Sequence, residues 1–267
     1  MTRIAPVAAT ATEFPPVAAS LRNADVRFGS FAAIKNLSLD IESGALYTIL
    51  GPSGCGKSTM LRLVSDLVPA AAGDVKIFGK STEQARLFRE FAFVFQDATL
   101  LPWRTALQNV ELPLEIGRRR GVKIPVSRRS PMELLDLVGL TGREDALPHE
   151  LSGGMRQRVA IARALVCKPR LLLMDEPFGA LDEMTRDRLN LQLLEIWRDT
   201  GVTILFVTHS IPEAVLLGQK VVMLASNPGR LRKIVDIDLP HPRHLALRET
   251  PEFNKYSRHL RELLETC

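Results

Sequence analysis

A glycine-rich segment directly after an apolar run is the feature that most constrains the fold of this chain. It reads GPSGCGKST at residues 51–59 and follows the apolar run at residues 45–50. Its glycines let the backbone curl so that successive N–H groups point inward and form a nest for an anion. Apolar spacing over residues 58–66 predicts a helix whose positive N-terminal end faces the same nest. The sequence therefore predicts a phosphate-binding loop between a strand and a helix.

Individual positions of this loop have distinct predicted roles. Lys57 supplies a positive charge for the β- and γ-phosphates, Ser58 offers a hydroxyl to Mg²⁺, and Thr59 contacts the α/β-phosphates. Cys55 has the default role of a small filler, but it lies near Lys57 and a helix N-terminus, a setting that can lower a thiol pKa. The hypothesis that follows is that thiol reagents inactivate the protein and that Mg-ATP protects it. The predicted nucleotide-binding positions are Gly51, Pro52, Ser53, Gly54, Cys55, Gly56, Lys57, Ser58 and Thr59.

A second apolar strand ends in two carboxylates, in the segment LLLMDEP at residues 171–177. A carboxylate pair at the end of a buried strand is costly unless it meets a cation. Asp175 is predicted to hold Mg²⁺ through its water shell, and Glu176 to orient and deprotonate a water for in-line attack on the γ-phosphate. The β-branched run at residues 203–207, with a helix before it, predicts a β–α–β crossover and a parallel sheet. Asp175 and His209 are then expected at the sheet edge where ligands bind.

Strand and helix patterns divide the chain into parts. Alternating apolar residues near 24–28 and 34–41 predict antiparallel strands before the loop. Helical spacing from residue 105 onward predicts a helical insertion, and strands near 221–224 and 232–237 precede a terminal helix. The expected organisation is a disordered leader over residues 1–20, a nucleotide-binding domain over 21–240 with a helical subdomain at about 97–166, and a helical tail over 241–267.

The segment LSGGM at residues 151–155, followed by Arg-Gln-Arg, completes an ordered set of three motifs. It resembles the signature of the ATP-binding cassette (ABC) transporter ATPases, and the resemblance covers roughly residues 21–236. It implies an α/β fold: a RecA-like P-loop NTPase core with a mixed sheet, an N-terminal antiparallel β subdomain and an inserted helical subdomain that carries the signature. It also implies a head-to-tail dimer of two copies, in which Ser152, Gly153 and Gly154 bind the γ-phosphate of ATP held by the partner's loop. A helix capped by Ser152 fits this role, since its N-terminal end favours an anion.

Single residues elsewhere match the same family. Phe28 stands where an aromatic ring stacks on adenine, and Gln96 where a glutamine meets Mg²⁺ and the attacking water. Asp182 matches the D-loop, and His209 resembles the switch histidine that contacts the γ-phosphate. The resemblance thus implies ATP and Mg²⁺ as cofactors, with the catalytic set Glu176, His209 and Gln96 and the metal-binding set Ser58, Gln96 and Asp175.

One departure from the family pattern lies beside the histidine. Ser210 stands where these ATPases usually have Asp, so any contact that this carboxylate makes across the dimer is missing here. Ser210 and Glu213 have the spacing of a capping box, in which each side chain bonds to the other residue's backbone N–H. The following helix is therefore expected to begin normally.

Three segments resemble, more narrowly, the subgroup that serves nitrate, sulfonate and taurine importers. They are LLPWR at residues 100–104, MDEPFGALD at 174–182 and NPGR at 227–230. The likeness implies an ATP-hydrolysing subunit that energises import of a small, often anionic nutrient. The implied partners are a membrane-spanning permease, which Trp103 would anchor, and a periplasmic or lipid-anchored solute-binding protein. The implied location is peripheral, on the cytoplasmic face of the inner membrane.

Charge and cysteine content limit the classes of partner and the compartment that are expected. The formal charge is +5, and the arginines at residues 118–120 with Arg128 and Arg129 form the densest basic patch. No aromatic residues interleave with them to stack on bases, so a solvated loop and no nucleic-acid partner are expected. Three cysteines without paired spacing indicate a reducing compartment. The alternative left open is a soluble ABC ATPase acting on nucleic acid or ribosomes, although such proteins usually need paired cassettes or a long coiled coil, and neither a repeat nor sustained heptads occur.

Overall fold

The chain folds into two β-sheets with helices packed around them. The structure is a computed structural model and describes residues 16–119, 125–127 and 129–267. The strands are β1 (Val17–Phe28), β2 (Phe31–Glu42), β3 (Leu46–Leu50), β4 (Ala72–Ile77), β5 (Lys80–Ser81), β6 (Phe91–Val94), β7 (Leu171–Asp175), β8 (Thr203–Val207), β9 (Lys220–Ala225) and β10 (Arg230–Asp236). The helices are α1 (Lys57–Val64), α2 (Thr82–Leu87), α3 (Ala106–Arg119), α4 (Pro131–Leu137), α5 (Gly153–Leu165), α6 (Glu183–Thr200), α7 (Ile211–Leu217) and α8 (Pro251–Glu265), with short 3-10 helices at Pro148–Glu150 and Leu245–Glu249.

The larger sheet carries the predicted loop and carboxylates. Its order is β10-β9-β3-β8-β7-β6, and all neighbours run parallel except the antiparallel pair β9 and β10. Every residue of β3, β7 and β8 is buried, which explains why these strands read as continuous apolar runs. Helix α6 joins β7 to β8 as the predicted crossover. The carboxyl ends of these strands therefore meet at one edge, as expected for a parallel sheet.

The smaller sheet is antiparallel and has the order β2-β1-β4-β5. Strand β1 begins at Val17, so the disordered leader expected over residues 1–20 was predicted to extend too far: residues 17–20 belong to the sheet. Ala18 and Ala19 resemble a low-complexity segment in composition, but both are fully buried because β1 is a central strand, flanked by β2 and β4. Pairing on both sides orders residues whose own β propensity is low. Residues 1–15 lie outside the described part of the chain.

The helical region consists of α3, α4 and α5, which pack against each other. Buried Asn109 links α3 to the preceding loop, since its amide nitrogen donates to the carbonyl oxygens of Leu101 and Arg104 at 3.2 and 3.0 Å. Ser130 and Glu133 form a capping box at the start of α4. Of the basic patch, Arg120 and Arg128 lie outside the described residues. In the described ranges, no helix has the length and apolar character needed to cross a membrane.

The C-terminal segment packs onto the nucleotide-binding core. Helix α8 contributes Phe253 and Leu260 to an apolar cluster shared with α7 and β9. Arg243 is buried and donates to the carbonyl oxygens of Val215, Leu216 and Gly218, which closes the C-terminal end of α7. Burial lowers the pKa of Arg243 to about 10. Residues 241–267 thereby pack against α7, the helix that follows His209.

Candidate functional site

Strand register places the predicted charged groups at one level of the sheet edge. Asp175 of β7 is the partner of Val207 in β8, and Val207 is also the partner of Ile49 in β3. Backbone hydrogen bonds continue one residue further, from Glu176 N to Val207 O at 3.1 Å and from Thr208 N to Ile49 O at 3.2 Å. The loop, the carboxylates and the histidine therefore all leave the sheet at the same edge.

The loop after β3 is a closed turn around the Lys57 ammonium group. Lys57 is buried, and its Nζ donates to the carbonyl oxygens of Gly51 and Pro52 at 2.9 Å each. Gly56 precedes α1 with φ 95°, in the left-handed region that favours glycine. With the first turn of α1 behind it, the loop presents backbone N–H groups and one positive charge to the edge. This is the geometry of an oxyanion site.

Oxygen ligands for a small cation lie beside the loop. The Ser58 hydroxyl donates to Asp175 Oδ1 at 2.8 Å. Burial raises the pKa of Asp175, against the lowering effect of the Ser58 hydrogen bond. Among the described residues, no Lys or Arg lies within ion-pair distance of Asp175. A cation bound between these two oxygens would offset the burial of the carboxylate.

Glu176 and His209 are paired at the mouth of the site. His209 Nδ1 lies 3.0 Å from Glu176 Oε2. Glu176 has φ 45°, a left-handed conformation that costs free energy in a residue with a side chain and that recurs at functional sites. Its backbone is held there by the hydrogen bond to β8 and by Gly179 N, which donates to Glu176 O at 3.0 Å. The fold thus brings together the two residues predicted to act on the γ-phosphate and the attacking water.

A cavity of about 280 Å³ is lined by loop residues, by Glu176 and by two phenylalanines, but not by Asp175 or His209. Of the predicted nucleotide-binding residues, Gly51, Pro52 and Cys55 do not line it. Phe31 and Ala33 line it without having been predicted, although Phe31 could have been found as the residue opposite Phe28 across a short turn. The full lining is Phe28, Phe31, Ala33, Ser53, Gly54, Gly56, Lys57, Ser58, Thr59 and Glu176.

The signature residues lie apart from this cavity. Ser152 caps α5, and its hydroxyl accepts a hydrogen bond from Met155 N at 3.3 Å. Gly153 and Gln96 line a different cavity, of about 180 Å³. Gly154 is required for packing, because a Cβ there would lie 2.9 Å from Thr185 Cγ2 of α6. Within one chain, Gln96 and the signature are not brought to the loop that holds Lys57.

Asp182 occupies the start of α6. Its carboxylate accepts a hydrogen bond from Thr185 N at 3.0 Å, and this bond is the main cause of the lowered pKa of Asp182. The residue is exposed and lines neither cavity. Its cap fixes the first turn of α6 next to Gly154. In one chain, Asp182 therefore acts as a helix cap.

The structure contradicts the lowered thiol pKa expected for Cys55 and agrees with its default role as a small filler. The side chain is fully buried in the apolar core, and burial raises the thiol pKa despite the opposing charge of Lys57. Its sulfur lies against Gly51, where an added Cβ would be 2.7 Å from Sγ, and Cys55 does not line the cavity that contains Lys57. The loop sequence places Cys55 near positive charge, and only the packing shows that the sulfur is desolvated.

The capping box predicted for α7 is only half formed. Ser210 Oγ accepts from Glu213 N at 3.4 Å, but Ser210 N donates to the Thr208 hydroxyl at 2.9 Å instead of to Glu213. The Glu213 carboxylate is 5% exposed and accepts a hydrogen bond from that hydroxyl. Burial raises the pKa of Glu213, while Thr208 and the buried Asn190 of α6 oppose the rise. This polar cluster, which sequence reasoning missed, fixes the turn that carries His209.

A phosphate-binding loop, a strand that ends in Asp-Glu and a histidine at the end of the next strand define a P-loop nucleoside triphosphatase. The family model described as ABC transporter matches residues 34–179. The chain is 44% identical over 220 residues to the aliphatic sulfonates import ATP-binding protein SsuB of Bacillus subtilis, with 82% of each chain covered. It is 41% identical over 242 residues to the nitrate import ATP-binding protein NrtD of Synechocystis sp., with 88% of this chain and 89% of the relative covered. The chain belongs to the ABC transporter family and is an ABC ATPase.

Solved structures agree with this assignment. The dimeric structure of MJ0796, a bacterial ABC transporter cassette, gives a TM-score of 0.70 at 33% identity and covers 83% of this chain and 100% of that chain. The dimeric post-hydrolysis structure of the same cassette, bound to ADP and Pi, gives 0.69 at 31% identity. The predicted fold class is confirmed: an α/β core with a mixed sheet, an antiparallel β subdomain and a helical subdomain.

Thiol labelling tests the revised environment of Cys55. At pH 7 a water-soluble maleimide should modify the half-buried Cys267 at least roughly tenfold faster than Cys55, because a buried, protonated thiol reacts slowly. Mass spectrometry with and without Mg-ATP measures both sites, and Cys55→Ala identifies the slow one. Rapid labelling of Cys55 that nucleotide prevents would restore the original expectation.

The buried Glu213 predicts a pH dependence of stability. Its folded pKa lies above the unfolded value of 4.5, so its stabilising contribution is fully present below about pH 4.5 and is lost as the pH rises through the folded pKa. Relative to Glu213→Gln, the wild type should therefore lose free energy of unfolding as the pH rises from about 4.5 toward neutrality. Urea denaturation across this range measures it, with Glu195→Gln on the exposed face of α6 as the control. Parallel curves for wild type and Glu213→Gln would contradict the prediction.

Proposed function

We propose that this chain is the ATP-hydrolysing subunit of an importer for a small anionic nutrient, such as nitrate or a sulfonate. The observation that supports the hydrolytic part is the position of Glu176, which lines one cavity with Lys57 and lies 3.0 Å from His209 Nδ1 through its Oε2. The substrate class rests on the names of the relatives, which include a nitrate and an aliphatic sulfonate import ATPase at 41% and 44% identity. The chain would act at the cytoplasmic face of the membrane, bound to a permease.

In the proposed mechanism the loop orients the triphosphate and the sheet edge activates water. Backbone N–H groups at the start of α1 and the Lys57 ammonium hold the phosphate oxygens as negative charge develops on them. The Glu176 carboxylate accepts a proton from the attacking water, and His209 fixes the orientation of that carboxylate through Nδ1. Positioning of the water in line with the γ-phosphate supplies the rest of the rate enhancement.

The donor set at the loop fits Mg²⁺. Mg²⁺ prefers hard oxygen ligands and usually takes one or two from the protein and the others from water and phosphates. Ser58 Oγ and Asp175 Oδ1, 2.8 Å apart, are such a pair, with Asp175 buried and without a basic partner among the described residues. When bound, the ion would neutralise charge on the β- and γ-phosphates. Gln96, on the rim of the other cavity, would join this set only if its loop moved inward.

A second copy of the chain completes the site in this proposal. In one chain, Gly153 lines a different cavity from Lys57, so the signature does not reach its own loop. The N-terminal end of α5, capped by Ser152, is exposed and presents N–H groups that suit an anion. MJ0796, to which this chain is similar, forms a dimer. A head-to-tail pair would place each signature over the partner's triphosphate.

The loop after Gln96 connects the proposed permease surface to the signature helix. Trp103 is 71% exposed, an unusual state for a large aromatic side chain, and is the expected anchor. Arg163 of α5 donates to the carbonyl oxygens of Ala98 and Thr99 at 2.8 and 2.9 Å. Gln157 of α5 donates to Phe95 O at 2.9 Å. A permease helix that displaced this loop would therefore move α5 and its signature together.

Mixed dimers test the shared site. One arrangement carries Lys57→Ala and Ser152→Ala in the same copy, and the other carries one substitution in each copy. If each site combines one copy's loop with the other's signature, the first arrangement disables both sites and the second leaves one site intact. ATPase assays on the two purified heterodimers should therefore show activity only when the substitutions are in different copies. The reverse pattern would mean that each copy uses its own signature.

Uptake measurements test the transport role. Cells that lack this chain should fail to take up one compound from a panel of nitrate, taurine and alkanesulfonates, and the wild-type chain should restore uptake. Glu176→Gln should bind ATP but lower turnover by roughly 10², the scale for losing a general base, and should not restore uptake. Trp103→Ala should also fail to restore uptake while its ATPase activity as an isolated chain stays normal, whereas Phe88→Ala, at another exposed aromatic, should behave like wild type. Normal uptake of the whole panel without the chain would refute an importer of this class.

A further inference from the structure

Two phenylalanines form an exposed pair at the tip of the β1–β2 hairpin. Phe28 and Phe31 are direct partners across the turn at residues 29–30, and their side chains are 51% and 60% exposed. The next apolar pair down the same hairpin, Val26 and Ile34, is 0% and 1% exposed. Nothing in the described part of the fold covers the two rings. An apolar ligand that covered them would remove this surface from water.

Both rings line the cavity that contains the phosphate-binding loop. Phe28, Phe31 and Ala33 of the hairpin line this cavity together with Lys57 and Ser58 of the loop and α1. A ligand with anionic groups in the loop and a flat apolar part at the opposite end therefore meets both aromatic side chains. A nucleoside triphosphate has this distribution of chemistry.

Strand β2 is fixed directly against the loop, two residues beyond Phe31. Gly229 N donates to Ala33 O at 3.1 Å, and Lys35 N donates to Gly229 O at 2.9 Å. A Cβ at Gly229 would overlap the carbonyl oxygens of Ala33 and Cys55, so only glycine allows this close approach. The NPGR turn at residues 227–230 thus joins the antiparallel sheet to the loop.

The same junction limits how far Phe31 can move relative to the phosphates. Gly56 of the loop also lies against β2, since a Cβ there would be 3.1 Å from Ile34 Cγ1. Phe31 belongs to the strand that makes these contacts, whereas Phe28 lies across the turn on β1. Phe31 is two residues from the contact at Ala33, whereas Phe28 is separated from it by the hairpin turn. A ring held at a fixed distance from the phosphate site loses little conformational freedom when a base binds.

We propose that Phe31 is a second base-binding aromatic, which holds the adenine of ATP together with Phe28 and is positioned by the Gly229 junction. The proposal rests on the function proposed above, in which the loop binds Mg-ATP. The contact is between an aromatic face and a base, so it adds affinity for the nucleoside and none for the phosphates. Alanine at one stacking aromatic is expected to weaken nucleotide binding by roughly tenfold, the scale of one base–aromatic contact.

Isothermal titration calorimetry on the full-length chain tests this with two ligands. Mg-ATP carries the base, and magnesium tripolyphosphate carries only the phosphates. Phe31→Ala should weaken Mg-ATP binding by roughly tenfold and leave tripolyphosphate binding unchanged. Phe31→Tyr should keep the affinity for Mg-ATP, whereas Phe31→Leu, which retains apolar area without a π face, should restore it only in part. Phe88→Ala removes an exposed ring that does not line the cavity and should change neither ligand.

Steady-state kinetics provides a second readout. Phe31→Ala should raise KM for ATP with little change in kcat, because the base contact is the same in the ground state and the transition state. Mg-ATP affinity within twofold of wild type, or equal losses for ATP and tripolyphosphate, would overturn the role of Phe31. A wild-type chain that binds no Mg-ATP would overturn the proposed function as well, so the two failures are distinguishable.

Discussion

The parallel register of β3, β7 and β8 is the constraint on which the rest of this protein depends. Because Ile49 and Asp175 both align with Val207, the phosphate-binding loop, the Asp-Glu pair and the His209 turn all begin at one height of the sheet. Complete burial of the three strands fixes this alignment, since sliding one strand would break its ladder of hydrogen bonds inside an apolar core. The chemistry at the edge is thus set by packing several residues away from it.

Within one chain, the charged groups Lys57 and Asp175 at this edge have only uncharged hydrogen-bond partners. Lys57 is satisfied by loop carbonyl oxygens, and Asp175 by a single hydroxyl, so each group keeps capacity for an ionic ligand. Burial gives such ligands a larger effect than they would have in water. The second polar layer, with Glu213 behind the histidine turn, is closed off from solvent and acts on position. The two layers differ in position: Lys57 and Asp175 lie at the start of α1 and the end of β7, whereas Glu213 lies in α7.

Sequence reasoning succeeded where neighbouring residues determine the outcome. The bounds of β8 match its predicted range, and Ser152 caps a helix as predicted, because capping and hydrophobic periodicity are local. It failed where a distant segment decides the environment. The strand at Val17 is ordered by pairing with β2 on one side and β4 on the other. The Cys55 thiol follows the same rule, since its pKa reflects packing rather than the charges next to it in sequence.

The sequence by itself determined the family, the ATPase chemistry and the order of the elements, because the loop, signature and carboxylate motifs are short stretches whose spacing is a covalent property. Only the tertiary structure decided which of those residues share a cavity. It joined Lys57, Glu176 and the two hairpin phenylalanines, and it left Gln96 and the signature in a separate cavity. Those distances are set by sheet register and by close backbone contacts such as that of Gly229 with the loop, which arise between segments far apart in the chain.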